Sequence, residues 1–467
     1  MTVVFCGIMP HPPIALPEVG GAEADKIMAT RDAMLELGRR IKSSGAATLV
    51  MISPHAPVFG DAIAINALPE SKGDLRHFGV AEVAFTCRYD KELGNEIGWQ
   101  AEDLGLPVVE IDPKVAGRVG VDLSLDHGFT VPLYYLRQAG VDLPLVPCSM
   151  GVFSPEKLYA FGVAVQRAAR ASETKVAVIA SGDLSHRLTP DAPAGYDPRG
   201  KEFDRTIVSL IKNLDVPRII NLEEDLCERA GECGLRPIIM MLGALDGCAV
   251  NSEVLSYEGP FGVGYLVASL APTGSDPGRE LLEKLQEDRK NALEGMRSRE
   301  SYLIQVARQS LESHLKGQWK EPDSYQVPPE FAGKAGAFVS FKKNGQLRGC
   351  IGTTAPTRQN VVQEVAYNAV SAGTQDPRFY PIRLDELDEL TVSVDVLMPP
   401  EPIQSIDQLD VKKYGVIVRR GSRCGLLLPD LEGVDTPRQQ VEIAKQKAGI
   451  APEEEVQLER FEVVRYC

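Results

Sequence analysis

Four of the six histidines in this chain stand where a short apolar or turn-forming segment meets polar residues. Their surroundings are Pro10-His11-Pro12-Pro13, Ser53-Pro54-His55, Asp126-His127-Gly128 and Ser181-Gly-Asp-Leu-Ser-His186. Neutral imidazole is the commonest protein ligand for transition metals, and two histidines with one carboxylate suit non-haem Fe(II). A single histidine beside a proline could simply bond a neighbouring carbonyl. Four in one part of the chain favour a shared metal site, whereas His77 and His314 lie in ordinary polar surroundings.

Three of these histidines follow sequences that are typical of buried β-strands. Residues 2–9, 48–52 and 175–180 are short, apolar and rich in β-branched side chains. In open α/β sheets, ligands bind beyond the carboxyl ends of the strands, where the side chains of the loops converge. The pattern therefore predicts one site that three strand ends build together.

The charge and composition disfavour several classes of partner. The 50 basic and 65 acidic residues give a net charge of −15, and no basic run is evident, which argues against nucleic acid or an anionic membrane surface as a partner. No apolar run approaches the roughly 20 residues of a membrane span. The first basic residue is Lys26, too late for the charged start of a signal peptide. Nine cysteines without a CxxC pair indicate reduced thiols, so we expect a cytoplasmic protein.

Strand-like and helix-like patterns alternate through residues 1–270. Helical periodicity covers, among others, residues 22–44, 90–104 and 155–171, and residues 262–268 read as a closing strand. The segment between residues 53 and 80 is expected to be a loop. Such alternation predicts an α/β domain with a mostly parallel sheet and helices on both faces.

A change of pattern divides the chain near residue 271. Residues 271–278 are turn formers without periodicity, so we expect a linker and a charged helix over 271–295. Residues 296–467 then predict a smaller α+β domain, with a hairpin turn at Asn344-Gly345 and a capping box at Thr436-Pro-Arg-Gln439.

The four histidine motifs, in this order, resemble those of the class III (LigB-type) extradiol ring-cleaving dioxygenases and the related Memo proteins. The resemblance covers residues 1–270. The second half resembles an AMMECR domain through Leu347-Arg-Gly-Cys-Ile-Gly-Thr353, Asp376-Pro-Arg-Phe379 and Leu426-Leu-Leu-Pro-Asp430. The fusion is similar to one found in AmmeMemoRadiSam systems, where a Memo-like protein and a radical-SAM protein tend to be encoded nearby. Both are therefore candidate partners.

The resemblance implies that His11 and His55 are metal ligands. The dioxygenases use a late glutamate as third ligand and the Memo proteins use a cysteine, and this chain offers Glu232 and Cys233 side by side. Carboxylate chemistry favours Glu232, whereas the Memo-like spacing favours Cys233. Our expectation is Glu232, with the alternative that its carboxylate interacts with the amino end of the helix near Pro237.

The implied cofactor is Fe(II), with another divalent metal possible, and the implied substrates are a catechol-like aromatic molecule and dioxygen. His186 would act as general base and His127 would stabilise negative charge from the opposite side. Asp183 would either orient His186 or cap its own turn, and we favour the cap.

Two other classes of function remain open. A Memo-type metal-binding protein would perform no ring cleavage, and a cysteine ligand would be its mark. An interaction or modification protein would act through the second domain, where Arg348, Cys350 and Asp376-Pro-Arg378 form a polar group. A packed, inert Cys350 is the interpretation we favour. A homodimer is the commonest state for such proteins.

Overall fold

The computed structural model describes residues 1–319, 322–343, 346–431 and 433–466. The chain divides into two compact units, Met1–Asp288 and Arg289–Cys467. The hairpin turn expected at Asn344-Gly345 lies outside the described residues. None of the helices in the described ranges combines the length and the apolar character that crossing a membrane requires.

The first unit alternates strands and helices. Its strands are β1 (Val3–Met9), β2 (Thr48–Ser53), β3 (Ile63–Asn66), β4 (Glu70–Leu75), β5 (Val80–Arg88), β6 (Val108–Ile111), β7 (Leu145–Ser149), β8 (Val176–Ser181), β9 (Cys248–Glu258) and β10 (Tyr265–Ser275). Its helices are α1 (Pro17–Gly20), α2 (Met28–Ser44), α3 (Lys91–Asp103), α4 (Pro113–Val119), α5 (His127–Gln138), α6 (Pro155–Ala171), α7 (Pro198–Asn213), α8 (Val216–Ile220), α9 (Glu224–Ala230) and α10 (Leu235–Gly243), and α11 (Leu282–Arg297) crosses into the second unit.

Eight of these strands form one sheet in the order β6-β3-β7-β2-β8-β1-β10-β9. The central strands β7, β2, β8 and β1 are mutually parallel, and β10 and β9 complete one edge as antiparallel strands. The prediction of a mostly parallel sheet in an α/β domain is confirmed. Because β2, β8 and β1 are neighbours, the loops that follow them leave the sheet side by side.

Helices cover both faces of this sheet, as the alternation of side chains along β8 illustrates. Val176, Val178 and Ala180 belong to one apolar core and Ala177 and Ile179 to the other. Successive side chains of a strand point to opposite faces, so a strand buried on both sides is apolar throughout. This explains the continuous apolar run that precedes Ser181.

Two sequence expectations about loops are corrected. The segment from residue 53 to 80 contains β3 and β4, and β4 pairs with β5 in a separate hairpin. The linker expected at residues 271–278 is instead, over its first five residues, the outer end of β10, which pairs with β9. Pro272 is tolerated there because β1 pairs with β10 only as far as Leu270, so beyond that point no strand of the described residues pairs with this edge of β10.

The second unit is an antiparallel sheet with helices. Its strands are β11 (Ala337–Lys343), β12 (Gln346–Gly352), β13 (Leu390–Leu397), β14 (Glu401–Ile403), β15 (Tyr414–Arg420), β16 (Arg423–Leu427) and β17 (Gln457–Tyr466), and its helices are α12 (Tyr302–Leu315), α13 (Val361–Thr374) and α14 (Pro437–Lys447). The strand order is β12-β11-β13-β17-β15-β16, with β14 paired to β17. The expected capping box at Thr436 and Gln439 begins α14. The prediction of a smaller α+β domain is confirmed.

Candidate metal centre

The register of three neighbouring strands brings the predicted residues together. In the parallel ladders, Met9 of β1 faces Ser181 of β8, and Ile52 of β2 faces Ala180. The three strands therefore end at one level. His11, His55 and Asp183 each follow two residues beyond that level, which places them above the same edge of the sheet.

The hydroxyl of Ser181 determines which nitrogen of His11 faces the centre. Ser181 Oγ donates to the carbonyl of Gly128 at 2.5 Å and lies 2.9 Å from His11 Nδ1. Since the only hydroxyl proton is used on Gly128, the serine oxygen accepts the Nδ1–H of His11. The lone pair of the neutral ring is then on Nε2. A ligating histidine is commonly held in this way by its other nitrogen.

His11 Nε2 points at two further donor atoms. It lies 3.0 Å from His55 Nε2 and 3.6 Å from Cys233 Sγ. The two nitrogens and the sulfur all lie within 4.8 Å of one another. Zinc, for example, is bound at about 2.0–2.1 Å by imidazole nitrogen and about 2.3 Å by thiolate sulfur, so three donors at this spacing fit one ion. The donor set is that of a transition metal rather than of magnesium or calcium.

Two glycines allow Cys233 to approach the end of β8. A Cβ atom added at Gly182 would lie 2.2 Å from the Cα of Gly234, so no larger residue fits at that contact. Hydrogen bonds then hold residues 182–183 against residues 233–234. Cys233 N donates to Asp183 O, and Asp183 N donates to Cys233 Sγ at 3.3 Å. The sulfur is thus held beside the imidazoles by backbone contacts.

The carboxylate of Glu232 is used elsewhere. Its Oε2 accepts the backbone N–H of Leu235, the first residue of α10, at 2.6 Å. Burial raises the pKa of Glu232 to about 7. The structure therefore brings the sulfur of Cys233, and not the carboxylate of Glu232, to the two imidazoles, and Glu232 occupies the helix-entry position that the sequence offered as its alternative role.

Asp183 joins two of the strand-end loops. Its buried carboxylate accepts the backbone N–H of His11 at 2.9 Å, and burial raises its pKa to about 7. The carboxylate is therefore bound to the His11 loop rather than to its own turn or to the ring of His186. Asp126 likewise joins two segments, the end of β2 and the start of α5, because its Oδ1 accepts from Ser53 Oγ at 2.9 Å and from Gly128 N at 2.6 Å.

His127 and His186 complete the group of four histidines. The ring of His127 stacks on His55 with centroids 4.3 Å apart and lies 5.2 Å from His11. The ring of His186 lies close to those of His11 and His55 and contacts the backbone of Gly231 and Leu184. Burial is the main cause that lowers the pKa of each imidazole, with His127 falling to about 4. All four rings are therefore neutral at pH 7 and able to coordinate a metal or accept a proton.

Sequence reasoning missed the aromatic neighbour of this group. Phe78, in the turn between β4 and β5, is 40% exposed, and its ring centroid lies 5.5 Å from that of His127. No local pattern distinguishes it, since the sequence predicts a loop for the segment that carries it, residues 53–80. Gly234 was missed as well, because its contact with Gly182 cannot be predicted from either motif alone.

The polar group expected in the second unit divides into two ion pairs. Arg348 pairs with Glu386 at 2.9 Å, and Arg378 pairs with Asp376 at 2.7 Å. Cys350 N donates to Asp376 at 2.9 Å, while the sulfur accepts from Ser340 Oγ at 3.1 Å. The thiol therefore lies beside the Asp376–Arg378 pair, and Arg348 is bound elsewhere.

A mostly parallel sheet with histidines and a cysteine clustered beyond its strand ends defines an α/β protein with a candidate metal centre. The family described as the catalytic LigB subunit of aromatic ring-opening dioxygenase matches residues 6–268, and the AMMECR1 family matches residues 304–466. The chain belongs to the LigB family and carries an AMMECR1 domain in its second half.

Relatives share the whole arrangement or part of it. A protein of Clostridium acetobutylicum is 38% identical over 461 residues, which cover 98% of each chain. A Thermotoga maritima protein is 54% identical over 160 residues, covering 33% of this chain and 91% of the relative. The crystal structure of an uncharacterized protein from Pyrococcus horikoshii, 32% identical, covers 35% of this chain and 88% of that one with a TM-score of 0.33.

Proposed function

We propose that the first unit is a metal-dependent oxidoreductase that holds Fe(II), or another divalent transition metal, through His11, His55 and Cys233. The observation that carries the proposal is the 4.8 Å cluster of two imidazole nitrogens and one sulfur, in which Ser181 directs the lone pair of His11 inward. The proposed substrates are a catechol-like aromatic molecule and dioxygen, as the family membership suggests.

A bound divalent metal supplies Lewis acidity that lowers the pKa of a substrate hydroxyl, and iron also supplies the electron chemistry that dioxygen requires. The protein's own part is to orient the substrate and to move its proton. His186 accepts that proton, since its ring is neutral at pH 7 and lies close to the rings of His11 and His55. His127, stacked on His55, donates a hydrogen bond to developing negative charge on the other side.

The sulfur ligand favours a second candidate, a metal-binding protein of Memo type without ring cleavage. Thiolate replaces the carboxylate of the usual two-histidine, one-carboxylate iron site and also suits zinc and Cu(I). In either case the second unit is proposed to bind a protein partner, with the Memo-like and radical-SAM proteins as the first to be tested.

One experiment separates these candidates. Protein purified without oxygen is analysed for iron, zinc and copper, then reloaded with Fe(II) and mixed with catechol in an oxygen electrode. Stoichiometric iron with catechol-dependent oxygen uptake supports the dioxygenase. A tightly held metal with no uptake supports the second candidate, and a chain that retains no transition metal contradicts both.

A further inference from the structure

A groove of 380 Å³ lies between α3 and β6, the strand at one edge of the eight-stranded sheet. It is lined by Asn95, Gly98, Trp99 and Glu102 of α3 and by Val108 and Glu110 of β6. The four helix residues are spaced i, i+3, i+4 and i+7, so they form one face of α3. The strands that carry the proposed metal centre are β1, β2 and β8, and β7 and β3 separate them from β6. The groove is therefore a separate feature of the first unit.

Packing within the chain does not explain two residues of this helix face. Tryptophan is among the side chains that gain most from burial and is enriched in protein interfaces, yet Trp99 is 64% exposed. Glycine destabilises a helix relative to alanine, yet a Cβ atom at Gly98 would meet nothing closer than Glu110 Oε1 at 3.9 Å. The glycine therefore keeps the groove open beside an exposed indole ring.

The groove carries two carboxylates. Glu102 is exposed and has no ion pair among the described residues. Glu110 accepts the side-chain N–H of Asn95 at 2.9 Å, a neutral partner that leaves its charge in place. Burial raises the pKa of Glu110, and the charge of Lys91 only partly opposes that shift, so a further cation would stabilise the ionised carboxylate. Since the face of an indole ring also attracts ammonium and guanidinium groups, these surroundings favour a cationic side chain.

The outer edge of β6 offers backbone hydrogen bonds at the same place. The carbonyls of Pro107 and Ile111 accept from residues of β3. In a parallel ladder, successive residues of a strand direct their N–H and C=O groups to alternate edges, so those of Val108 and Glu110 face away from β3. No strand of the described residues pairs with that edge. An unpaired edge is a template for one further strand.

We propose that this groove binds an extended, basic segment of a partner protein, which pairs with β6 and places a lysine or arginine side chain between Trp99 and the carboxylates of Glu102 and Glu110. The added strand supplies backbone hydrogen bonds, and the side chain in the groove supplies selectivity for charge. A second copy of this chain is a poorer occupant, because pairing β6 with β6 would bring the same carboxylates together. The proposal is independent of the metal centre and of its chemistry.

The test selects peptides from a random phage-displayed library on the full chain, after depletion of the library on Trp99→Ala. Each selected peptide is synthesised and its binding is measured by calorimetry. Two altered versions are made, one with glutamate in place of each basic residue and one with N-methyl groups along its backbone. The variants are Gly98→Leu, which fills the groove, the double variant Glu102→Gln and Glu110→Gln, and the control Glu283→Gln, exposed on α11. Thermal unfolding establishes that each variant is folded.

We expect the selected peptides to carry lysine or arginine between β-branched residues, and both altered versions to bind more weakly by roughly tenfold or more. Gly98→Leu and the double variant should weaken the parent peptides by a similar factor, whereas Glu283→Gln should not. Selected peptides without a basic residue, N-methylated versions that bind as tightly as their parents, or a depleted library that yields no binder overturn the proposal. A dimer of the wild-type chain that Trp99→Ala dissociates would show that a second copy occupies the groove instead.

Discussion

Ser181 Oγ lies 2.9 Å from His11 Nδ1 and donates its own proton to the carbonyl of Gly128. This relationship joins three segments that are far apart in the chain and leaves the ring with a lone pair on Nε2. The proposed metal binding by His11 therefore depends on a serine that is not itself one of the proposed ligands.

Ser181→Ala should weaken metal binding by about 10- to 100-fold, the usual effect of losing the partner of a ligating histidine. Without the serine oxygen, the ring no longer has its Nδ1–H satisfied and can take up either tautomer. The measurement is a competition titration with a chromophoric chelator. Ser149→Ala is the matched control, because Ser149 is also buried at a strand end but accepts from Ala64 N instead. Equal affinity in the two variants would show that Ser181 has no part in the site.

Cys233→Ala should affect metal binding, whereas Glu232→Ala should affect the stability of the fold. The sulfur faces the imidazoles, so its loss should abolish stoichiometric metal binding. The carboxylate of Glu232 accepts Leu235 N, so its loss should keep the metal and lower the free energy of unfolding by about 0.5–2 kcal/mol, as for a lost helix cap. Metal analysis and urea unfolding of the two variants check this. A metal-free Glu232→Ala protein beside a loaded Cys233→Ala protein would reverse the ligand assignment.

His186→Ala should keep the metal and lose turnover, by a factor on the order of 10²–10⁴ for a general base. In contrast, His11→Ala combined with His55→Ala should abolish stoichiometric iron binding, because two of three proposed ligands are gone. Iron content and oxygen uptake are measured on the same preparations. A His186 variant that loses its metal while the double variant retains it would invert the two roles.

Asp204 should make the protein less stable as the pH rises from about 4 to about 7. Burial raises its pKa from 3.8 to about 7, although Ser185 N and Tyr257 Oη donate to it at 2.8 and 2.7 Å. Within this window the folded chain holds a proton that the unfolded chain has released. The stabilisation by the protonated Asp204 carboxyl is thus complete below pH 4 and lost above pH 7. Between these values its loss lowers the free energy of unfolding by up to about 1.4 kcal/mol per pH unit.

Asp204→Asn should remove this slope, which unfolding in urea at several pH values measures as the difference between variant and wild type. Asp142→Asn, at a side chain that is 82% exposed, should leave the pH dependence unchanged. A variant at residue 204 with the slope of the wild type would show that the carboxyl is ionised throughout.

Cys350 should react slowly with iodoacetamide in the native protein. Its side chain is partly buried, its sulfur accepts from Ser340 Oγ, and Arg348 is occupied by Glu386. Cys424 is exposed and serves as an internal reference. Mass spectrometry of partially labelled protein should find Cys424 modified first, and faster labelling of Cys350 would indicate an activated thiol.

Much of the fold was accessible from the sequence because the pattern is local. The apolar runs before His11, His55 and His186 read as buried strands, and a strand covered on both faces must be apolar along its length. The capping box at Thr436 likewise needs only four neighbouring residues. The alternation of such segments was sufficient for the α/β class and for a second, smaller domain.

Contacts between segments that lie far apart in the chain could not be predicted from local sequence patterns. Residues 271–275 look like a linker because Pro272 and Gly274 disfavour a central strand, yet β9 supplies a partner on one side. The choice between Glu232 and Cys233 is of the same kind. The sequence restricts the proposed third ligand to two adjacent residues, but only the contact of Gly182 with Gly234 and the N–H of Leu235 decide which side chain turns toward the histidines. Residue type and spacing determine what chemistry is available, whereas the packing of distant segments decides which atoms meet.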